Sequence, residues 1–252
     1  MRLKLALASL IICLSTADAA VSEQIADGEA LIQAMHARYE KSWYDTVTFT
    51  QMSTTYNPDG TTKVETWYEA ASLPGKLRID IGPTSDGNGV ILSAGNATFF
   101  QKGQQTGTRP YVNLLLVLGF DVYRQPPEAT IAQLKAEGID LTKIHEESWQ
   151  GEPAYVVGAD KGDLKARQFW VEKKRLLFLR VIQFDRQDQK KVDDIRFTDY
   201  RQFHEGIIAA RVEVYSEDRL VFSEDYSDIR IGVKLEPAVF DPAQFSTAHW
   251  QK

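Results

Sequence analysis

The residues with the clearest capacity for chemistry are two glutamates, Glu65 and Glu69, which share one face of a predicted strand with Trp67 between them. Two carboxyls beside an aromatic ring are typical of glycoside hydrolases. In a strand, however, residues four apart are separated by about 13 Å, whereas glycosidase carboxyls lie about 5 to 9.5 Å apart. The spacing therefore argues against this pair. A hydrolase would require two carboxylates from different strands to meet in a cleft.

Metal and nucleophile chemistry find little support in the sequence. The four histidines, His36, His145, His204 and His249, lack the H-x-x-x-H and H-E-x-x-H spacings of zinc sites. The only cysteine is Cys13, near the N-terminus. No G-x-S-x-G, P-loop or G-x-G-x-x-G sequence occurs. The sequence thus predicts no catalytic residue, no metal site and no cofactor, and the protein is predicted not to be an enzyme.

The first twenty residues have the pattern of a signal peptide. Arg2 and Lys4 precede an apolar run at residues 5–14, and small residues at 17 and 19 place the cleavage site after Ala19 or Ala20. We therefore expect residues 21–252 to form the exported protein as one domain, because about 230 residues suffice for a single all-β domain.

An alternative to soluble export is a lipoprotein signal ending at Cys13. Ile12, however, occupies the position where lipid-modification sites carry a small residue, and soluble export is favoured. The exported chain then has no cysteine, which indicates a bacterial periplasm as its compartment. A formal charge of −6, from 35 acidic and 29 basic residues, argues against nucleic acid as a partner. No later apolar run reaches the ~18 residues of a transmembrane segment.

Three strands are predicted at residues 46–81. Val47, Phe49 and Gln51 alternate with their neighbours, as in a half-buried strand. Turn-forming residues at 57–60 and a break at 73–75 divide the three strands. Large apolar side chains thus share one face of a sheet.

The remaining pattern is mostly strand. A helix is predicted at residues 26–41, a hairpin turn at Gly95-Asn96 and a polar loop at 103–110. Turn signals, among them one at residues 187–188, separate seven later strands. These strands are predicted at residues 141–149, 154–159, 167–172, 176–184, 192–200, 207–215 and 220–233. Their short connections predict one antiparallel sheet of ten to twelve strands, which twist should curl toward a barrel or half-barrel.

Two further helices are predicted between these strand regions. Residues 114–118 are consecutively apolar, so a helix there must be buried or must face an apolar group. It is the best candidate to plug the concave face, and an acyl chain that offers equivalent apolar contacts could displace it. The helix at residues 128–137 has a narrow apolar stripe, Ile131 and Leu134, and is predicted to lie on the surface.

Several of these segments resemble the LolA/LolB-like superfamily, and the likeness spans most of the exported chain. The matching features are the opening helix, Phe49-Thr50-Gln51, Leu73-Pro74-Gly75-Lys76-Leu77-Arg78, Gly95-Asn96 before Phe99-Phe100, Tyr200, Gly206-Ile207, Val212-Glu213-Val214 and Asp241-Pro242 after Phe240. The resemblance implies a mainly β (α+β) fold: a large curved antiparallel half-barrel, with an N-terminal helix and lid or plug helices over its concave face. Members of this superfamily carry lipoproteins or lipids across the periplasm.

The chain departs from the lipoprotein carriers in two respects. They have an arginine before the proline of the strand break, where it helps to hold the lid, and this chain has Leu73 there. It is also longer, with the excess predicted at residues 109–140 and in the C-terminal strands. The resemblance therefore favours an extended member of the superfamily over the lipoprotein chaperone itself.

Export, the apolar sheet face and the leucine-rich helix together predict a periplasmic carrier or binding protein for an acylated ligand, either a lipoprotein or a lipid. The resemblance implies an inner-membrane donor or an outer-membrane acceptor protein as partner. The alternative is an envelope sensor or scaffold that binds a protein partner. The predicted ligand-binding residues are Phe49, Trp67, Leu77, Ile79, Ile91, Phe99, Leu115 and Leu118, with Phe169, Ile195 and Phe197 from later strands.

Overall fold

A computed structural model describes residues 25–184, 191–203 and 206–250. The predicted signal segment with Cys13, the turn predicted at 187–188 and His204 lie outside these residues. One continuous sheet has the strand order β6-β5-β4-β3-β2-β1-β13-β12-β11-β10-β9-β8-β7, with every neighbouring pair antiparallel. The strands are β1 Thr46–Tyr56, β2 Thr62–Ser72, β3 Lys76–Ile81, β4 Gly89–Ser93, β5 Asn96–Gln101, β6 Gln104–Pro110, β7 Ile144–Trp149, β8 Glu152–Val157, β9 Gln168–Glu172, β10 Phe178–Phe184, β11 Val192–Phe203, β12 Gly206–Ser216 and β13 Arg219–Ile231.

In the described part of the chain, three α-helices accompany the sheet: α1 Gly28–Tyr39, α2 Leu114–Gly119 and α3 Pro127–Ala136. Side-chain caps fix two of their N-termini. Asp27 accepts a hydrogen bond from the backbone N–H of Ala30, and Asn113 accepts from the first turn of α2. No helix in the described ranges is both long enough and apolar enough to cross a bilayer.

The predicted fold class is confirmed: the open, mainly β sheet forms a curved half-barrel. The three strands expected at residues 46–81 are β1, β2 and β3. The central position of β1 was not foreseen. This strand pairs with β2 on one side and with β13 on the other, so the first and last strands of the sheet lie side by side.

The polar loop predicted at residues 103–110 is instead the edge strand β6. Its side chains are mostly exposed, and only one of its two sides is paired, with β5. An edge strand with no buried face has no apolar alternation, so the pattern gave no strand signal. The adjacent hairpin turn is also shifted by one residue. Ala94 and Gly95 carry the positive φ angles, and Asn96 begins β5.

The prediction of a surface position for α3 is wrong for one of its faces. Thr130 and Leu134 are fully buried. The helix packs against α1, and Lys135 forms an ion pair with Glu29 of that helix. This face of α3 is buried although its apolar stripe is narrow, because α1 covers the face.

The two faces of the sheet carry different structures. Leu77 and Ile79 of β3 face the main core, which also contains the buried residues of α1 and α2. The alternate residues, Arg78 and Asp80, face the opposite, convex side. Residues 235–250, which we call the C-terminal strap, cover this side of the early strands.

Arg78 binds the C-terminal strap. Its guanidinium donates two hydrogen bonds to Asp80, at 2.9 and 2.8 Å, and others to the carbonyls of Phe245 and Ala248, at 3.0 and 2.6 Å. The same group lies 4.4 Å from the ring centre of Phe245, and Trp250 donates to Asp80 at 3.2 Å. Arg78 and Asp80 are only 1% and 2% exposed, so this ion pair is a buried one.

Candidate ligand-binding site

A cavity of about 70 Å³ lies between the concave face of the sheet and α2. Residues of β1, β2, β3, β11 and β13 form its floor, and the N-terminal cap and body of α2 form its roof. The lining residues are Phe49, Trp67, Glu69, Ala71, Leu77, Ile79, Asn113, Leu115, Leu116, Phe120, Phe197, Glu224 and Tyr226.

The roof of the cavity, which we call the lid, consists of α2 with its capping residues Asn113 and Phe120 and of the turn Asp121–Tyr123. Leu116 and Leu118 are buried against the core, and the Phe120 ring meets the Phe197 ring edge to face at 6.4 Å. The contacts of α2 with the core are thus apolar, as expected for a helix that plugs the concave face. Within the described residues, the lid makes its polar contacts with the sheet in the turn that follows α2.

The turn of the lid is attached to the sheet by two hydrogen bonds. The backbone N–H of Gly75 donates to the Asp121 carboxyl at 3.0 Å, and that of Phe178 donates to the Tyr123 hydroxyl at 2.9 Å. Burial raises the pKa of Asp121 to about 7, although the hydrogen bond from Gly75 acts in the opposite direction. Leu73, which replaces the arginine of the lipoprotein carriers, is buried in the core. In this chain the strand break therefore contributes the backbone N–H of Gly75 to the hydrogen bond, and the lid contributes the Asp121 carboxyl that accepts it.

Gly119, at the end of α2, tests how tightly the lid packs. A Cβ atom at this position would lie 2.5 Å from the Phe197 ring. We expect Gly119→Ala to lower the free energy of unfolding by about 1–3 kcal/mol, because the lid must move away from the ring. Urea denaturation would measure this change. Gly107→Ala is the matched control, since a Cβ there meets nothing within 4 Å. Equal stabilities of the two variants would contradict tight packing of the lid.

Two carboxyls from different strands line the cavity. Phe49 lies opposite Glu69 on β2, and Ser53, further along β1, lies opposite Glu224 on β13. The Tyr226 hydroxyl donates to Glu224 at 2.5 Å. Sequence reasoning rejected the pairing of Glu65 with Glu69 and missed this one.

Burial controls the ionisation of both carboxyls. Desolvation, followed by repulsion from Glu224, raises the pKa of Glu69 well above its usual value. Desolvation also raises the pKa of Glu224 to about 7, against hydrogen bonds from Tyr226 and Gln51. Both groups thus resist carrying a negative charge while the cavity is empty.

Six of the eleven predicted ligand-binding residues line this cavity: Phe49, Trp67, Leu77, Ile79, Leu115 and Phe197. Four others belong to the same core or its border without reaching the cavity: Phe99, Leu118, Phe169 and Ile195. Ile91 lies on the convex face and packs against Phe100 and Phe245 beneath the strap. Its register partner is Arg78, so the two residues point to the same side.

The site also includes residues that the sequence did not single out. Asn113 and Leu116 come from the lid, and Ala71 comes from the floor. Ala71 continues the alternation of Trp67 and was therefore detectable, and Glu69 was considered only as a partner of Glu65. Glu224 and Tyr226 were not, because they reach the site only through the pairing of β13 with β1.

The described residues contain no cluster of three or more potential metal ligands. Two of the histidines lie beside glutamates: His36 is 3.6 Å from Glu40, and His145 is 3.7 Å from Glu147. These positions are remote from the cavity lining.

The fold is similar to several solved structures. A DUF1329 family protein from Desulfovibrio piger has a TM-score of 0.57 at 15% identity, over 86% of this chain and 97% of its own. A LolA superfamily protein from Nitrosomonas europaea has a TM-score of 0.53 at 14% identity, over 83% and 97%. A putative outer membrane lipoprotein-sorting protein domain from Vibrio parahaemolyticus has a TM-score of 0.50 at 15% identity, over 87% and 98%.

No protein-family model and no curated protein matches the sequence. At these identities the structural neighbours establish the architecture of the chain and not its ligand. The match covers nearly the whole length of each neighbour. The observed half-barrel agrees with the resemblance noted in the sequence. The chain therefore has the LolA-like fold.

Proposed function

We propose that the protein is a periplasmic carrier or binding protein for an acylated ligand, a lipid or a lipoprotein. The observation that carries this proposal is the mainly apolar cavity beneath α2, a helix whose own contacts with the core are apolar. The six predicted residues that line the cavity would contact the acyl chain. The signal-peptide pattern of the first twenty residues supports the periplasmic location.

The size of the cavity implies that the lid moves when a ligand enters. A cavity of about 150 Å³ is known to hold a single benzene ring, and this one measures about 70 Å³. An acyl chain is larger than benzene, so it must take the place of the α2 side chains. The exchange is feasible because the chain restores the apolar contacts that the helix gives up.

Burial of the acyl chain supplies the affinity. Each methylene removed from water contributes about 0.8 kcal/mol. Displacement of Leu115 and Leu116 from the cavity costs part of this energy. Reversible binding follows, because the lid competes with the ligand for the same surface.

The carboxyl pair also suggests a second candidate function, a hydrolase, because Glu69 and Glu224 come from different strands. Acid–base catalysis usually places two carboxyls in contrasting environments, which separate their pKa values. Here burial raises the pKa of both. Binding is therefore the better-supported function.

Native mass spectrometry of protein purified from the periplasm is the direct test. We expect a bound lipid or lipoprotein, or uptake of an added fluorescent fatty-alcohol probe. Ala71→Leu fills the cavity and should weaken probe binding at least tenfold. Ala132→Leu adds the same atoms at an exposed position of α3 and should bind as the wild type does.

Two outcomes would count against the proposal. Absence of bound lipid together with no uptake of the probe would exclude a carrier. A stable complex with an envelope protein and no lipid exchange would instead favour the sensor or scaffold.

A further inference from the structure

We infer that the ligand carries a positively charged nitrogen next to its acyl chain, and that Glu69 and Glu224 bind this nitrogen at the polar end of the cavity. The inference rests on the proposed function and specifies its ligand class as cationic amphiphiles. Three features of the cavity support it: unpaired carboxyls, surrounding aromatic rings and unmatched hydrogen-bonding atoms.

The two carboxyls lack a cationic partner. Glu69 is 6% exposed, and within the described residues its carboxyl forms neither a hydrogen bond nor an ion pair. Glu224 accepts a hydrogen bond from Tyr226, and no described lysine or arginine pairs with it. A buried acidic pair without a counter-ion is costly. Two other buried acids, Asp80 and Asp194, have an arginine, and the buried Asp121 accepts a backbone hydrogen bond from Gly75, whereas the Glu69 carboxyl has neither kind of partner in the described part of the chain. The missing cation therefore points to the ligand.

Aromatic rings surround the same point. Phe49 stacks on Tyr226 with ring centres 4.2 Å apart, and both residues line the cavity. Trp67, which also lines it, lies 5.8 Å from Phe222. Faces of aromatic rings attract ammonium groups, and cages of such rings recognise organic cations. The two carboxyls and the aromatic rings thus both favour an organic cation such as an ammonium group.

Two polar atoms beside the pair are buried without a partner. Gln51 is 1% exposed, and its Oε1 atom accepts no hydrogen bond, while the Trp67 Nε1–H donates none. Gln51 lies opposite both Trp67 and Tyr226 in the sheet. Trp67 lines the cavity, so an ester or amide oxygen of the ligand would satisfy its indole N–H. Buried polar atoms normally have such partners, so the indole also indicates a ligand.

The remaining charge pattern disfavours the opposite ligand. A carboxylate or a bare phosphate in the cavity would oppose the ionisation of Glu69 and Glu224, whereas a cation would favour it. Further toward the β1–β2 turn the concave face continues with Glu65. The cavity is therefore suited to cationic amphiphiles and not to simple fatty acids.

The test compares four single-chain probes of equal length in equilibrium binding to the full exported protein: an alkylammonium, an alkyltrimethylammonium, an alcohol and a carboxylate. We expect the two cations to bind about 10- to 100-fold more tightly than the alcohol, as a charge-assisted contact implies. Glu69→Gln and Glu224→Gln should abolish this preference. Glu65→Gln is the matched control, since Glu65 already pairs with Lys63, and it should retain the preference.

The outcomes separate the inference from the proposed function. Equal binding of the cation and the alcohol to the wild-type protein would overturn the inference and leave the carrier standing. Absence of binding by all four probes would overturn both. Because the comparison uses the wild-type protein, it does not depend on the folding of a variant.

An aminolipid and an acylated protein can both supply a nitrogen beside an acyl chain. Two further binding comparisons distinguish these two sources. One compares an ethanolamine-headed lysophospholipid with a glycerol-headed one. The other compares an acylated peptide that has a free amino terminus with its acetylated form. A preference in the first pair identifies an aminolipid, and a preference in the second identifies an acylated protein; no preference in either overturns the inference.

Discussion

Arg78→Leu is expected to lower the free energy of unfolding by about 3–5 kcal/mol, the usual effect of removing one partner of a buried ion pair. Asp80 would remain buried without its counter-ion. The carbonyls of Phe245 and Ala248 would also lose their donor. Chemical denaturation would measure the loss, and limited proteolysis would show release of the C-terminal strap.

A double variant and a matched control make this test specific. Arg78→Leu/Asp80→Leu should be more stable than Arg78→Leu alone, because no charge is left unpaired. Arg201→Leu breaks a similar pair in which Arg201 and Asp199 are about half exposed, and we expect a loss of at most about 1 kcal/mol. If Arg78→Leu were as mild as Arg201→Leu, the C-terminal strap would not depend on Arg78.

The second large effect concerns pH. The pKa of Asp121 is raised by burial from 3.8 to about 7, so the folded state favours the protonated carboxyl. Its contribution to stability is full below the unfolded pKa and is lost as the pH rises through the folded value. Between pH 5 and pH 8 this amounts to about 3 kcal/mol. Glu224, with its pKa raised to about 7, acts in the same direction, as does Glu69.

We therefore expect the protein to be more stable at pH 5 than at pH 8, and the lid to open more readily at the higher pH. Denaturation at a series of pH values would measure this. Asp121→Asn keeps an oxygen for the Gly75 N–H and should flatten the curve. Asp194, whose pKa is lowered by hydrogen bonds from Arg180 and Arg196, acts in the opposite direction, but only near and below its usual pKa. Parallel curves for the wild type and Asp121→Asn would contradict this account.

Much of the fold was predictable because its signals are local. Alternation at Val47, Phe49 and Gln51 specifies a strand and also the face that each side chain occupies. The apolar run of α2 likewise indicates a buried helix. Ile91 was assigned to the wrong face because a one-residue change of register inverts the whole strand. β6 was missed because an exposed edge strand needs no apolar residues.

The candidate site was less predictable because its polar end depends on long-range pairing. Glu69 belongs to a strand whose pattern was recognised. Glu224 lies far along the chain, and nothing near it in sequence indicates which strand will be its neighbour. Only the pairing of β1 with β13 brings the two carboxyls together. The same pairing supplies Tyr226, which hydrogen-bonds one of them.

The central position of β1 also has a consequence for the order in which the protein folds. Thr50 and Ser227, 177 residues apart in sequence, lie side by side in the finished sheet. Such long-range pairings are slow, because the chain entropy is lost before the contacts form. A chain that has not been synthesised through β13 therefore lacks part of the floor of the cavity and one of its two carboxyls. The cavity is complete only when β13 pairs with β1.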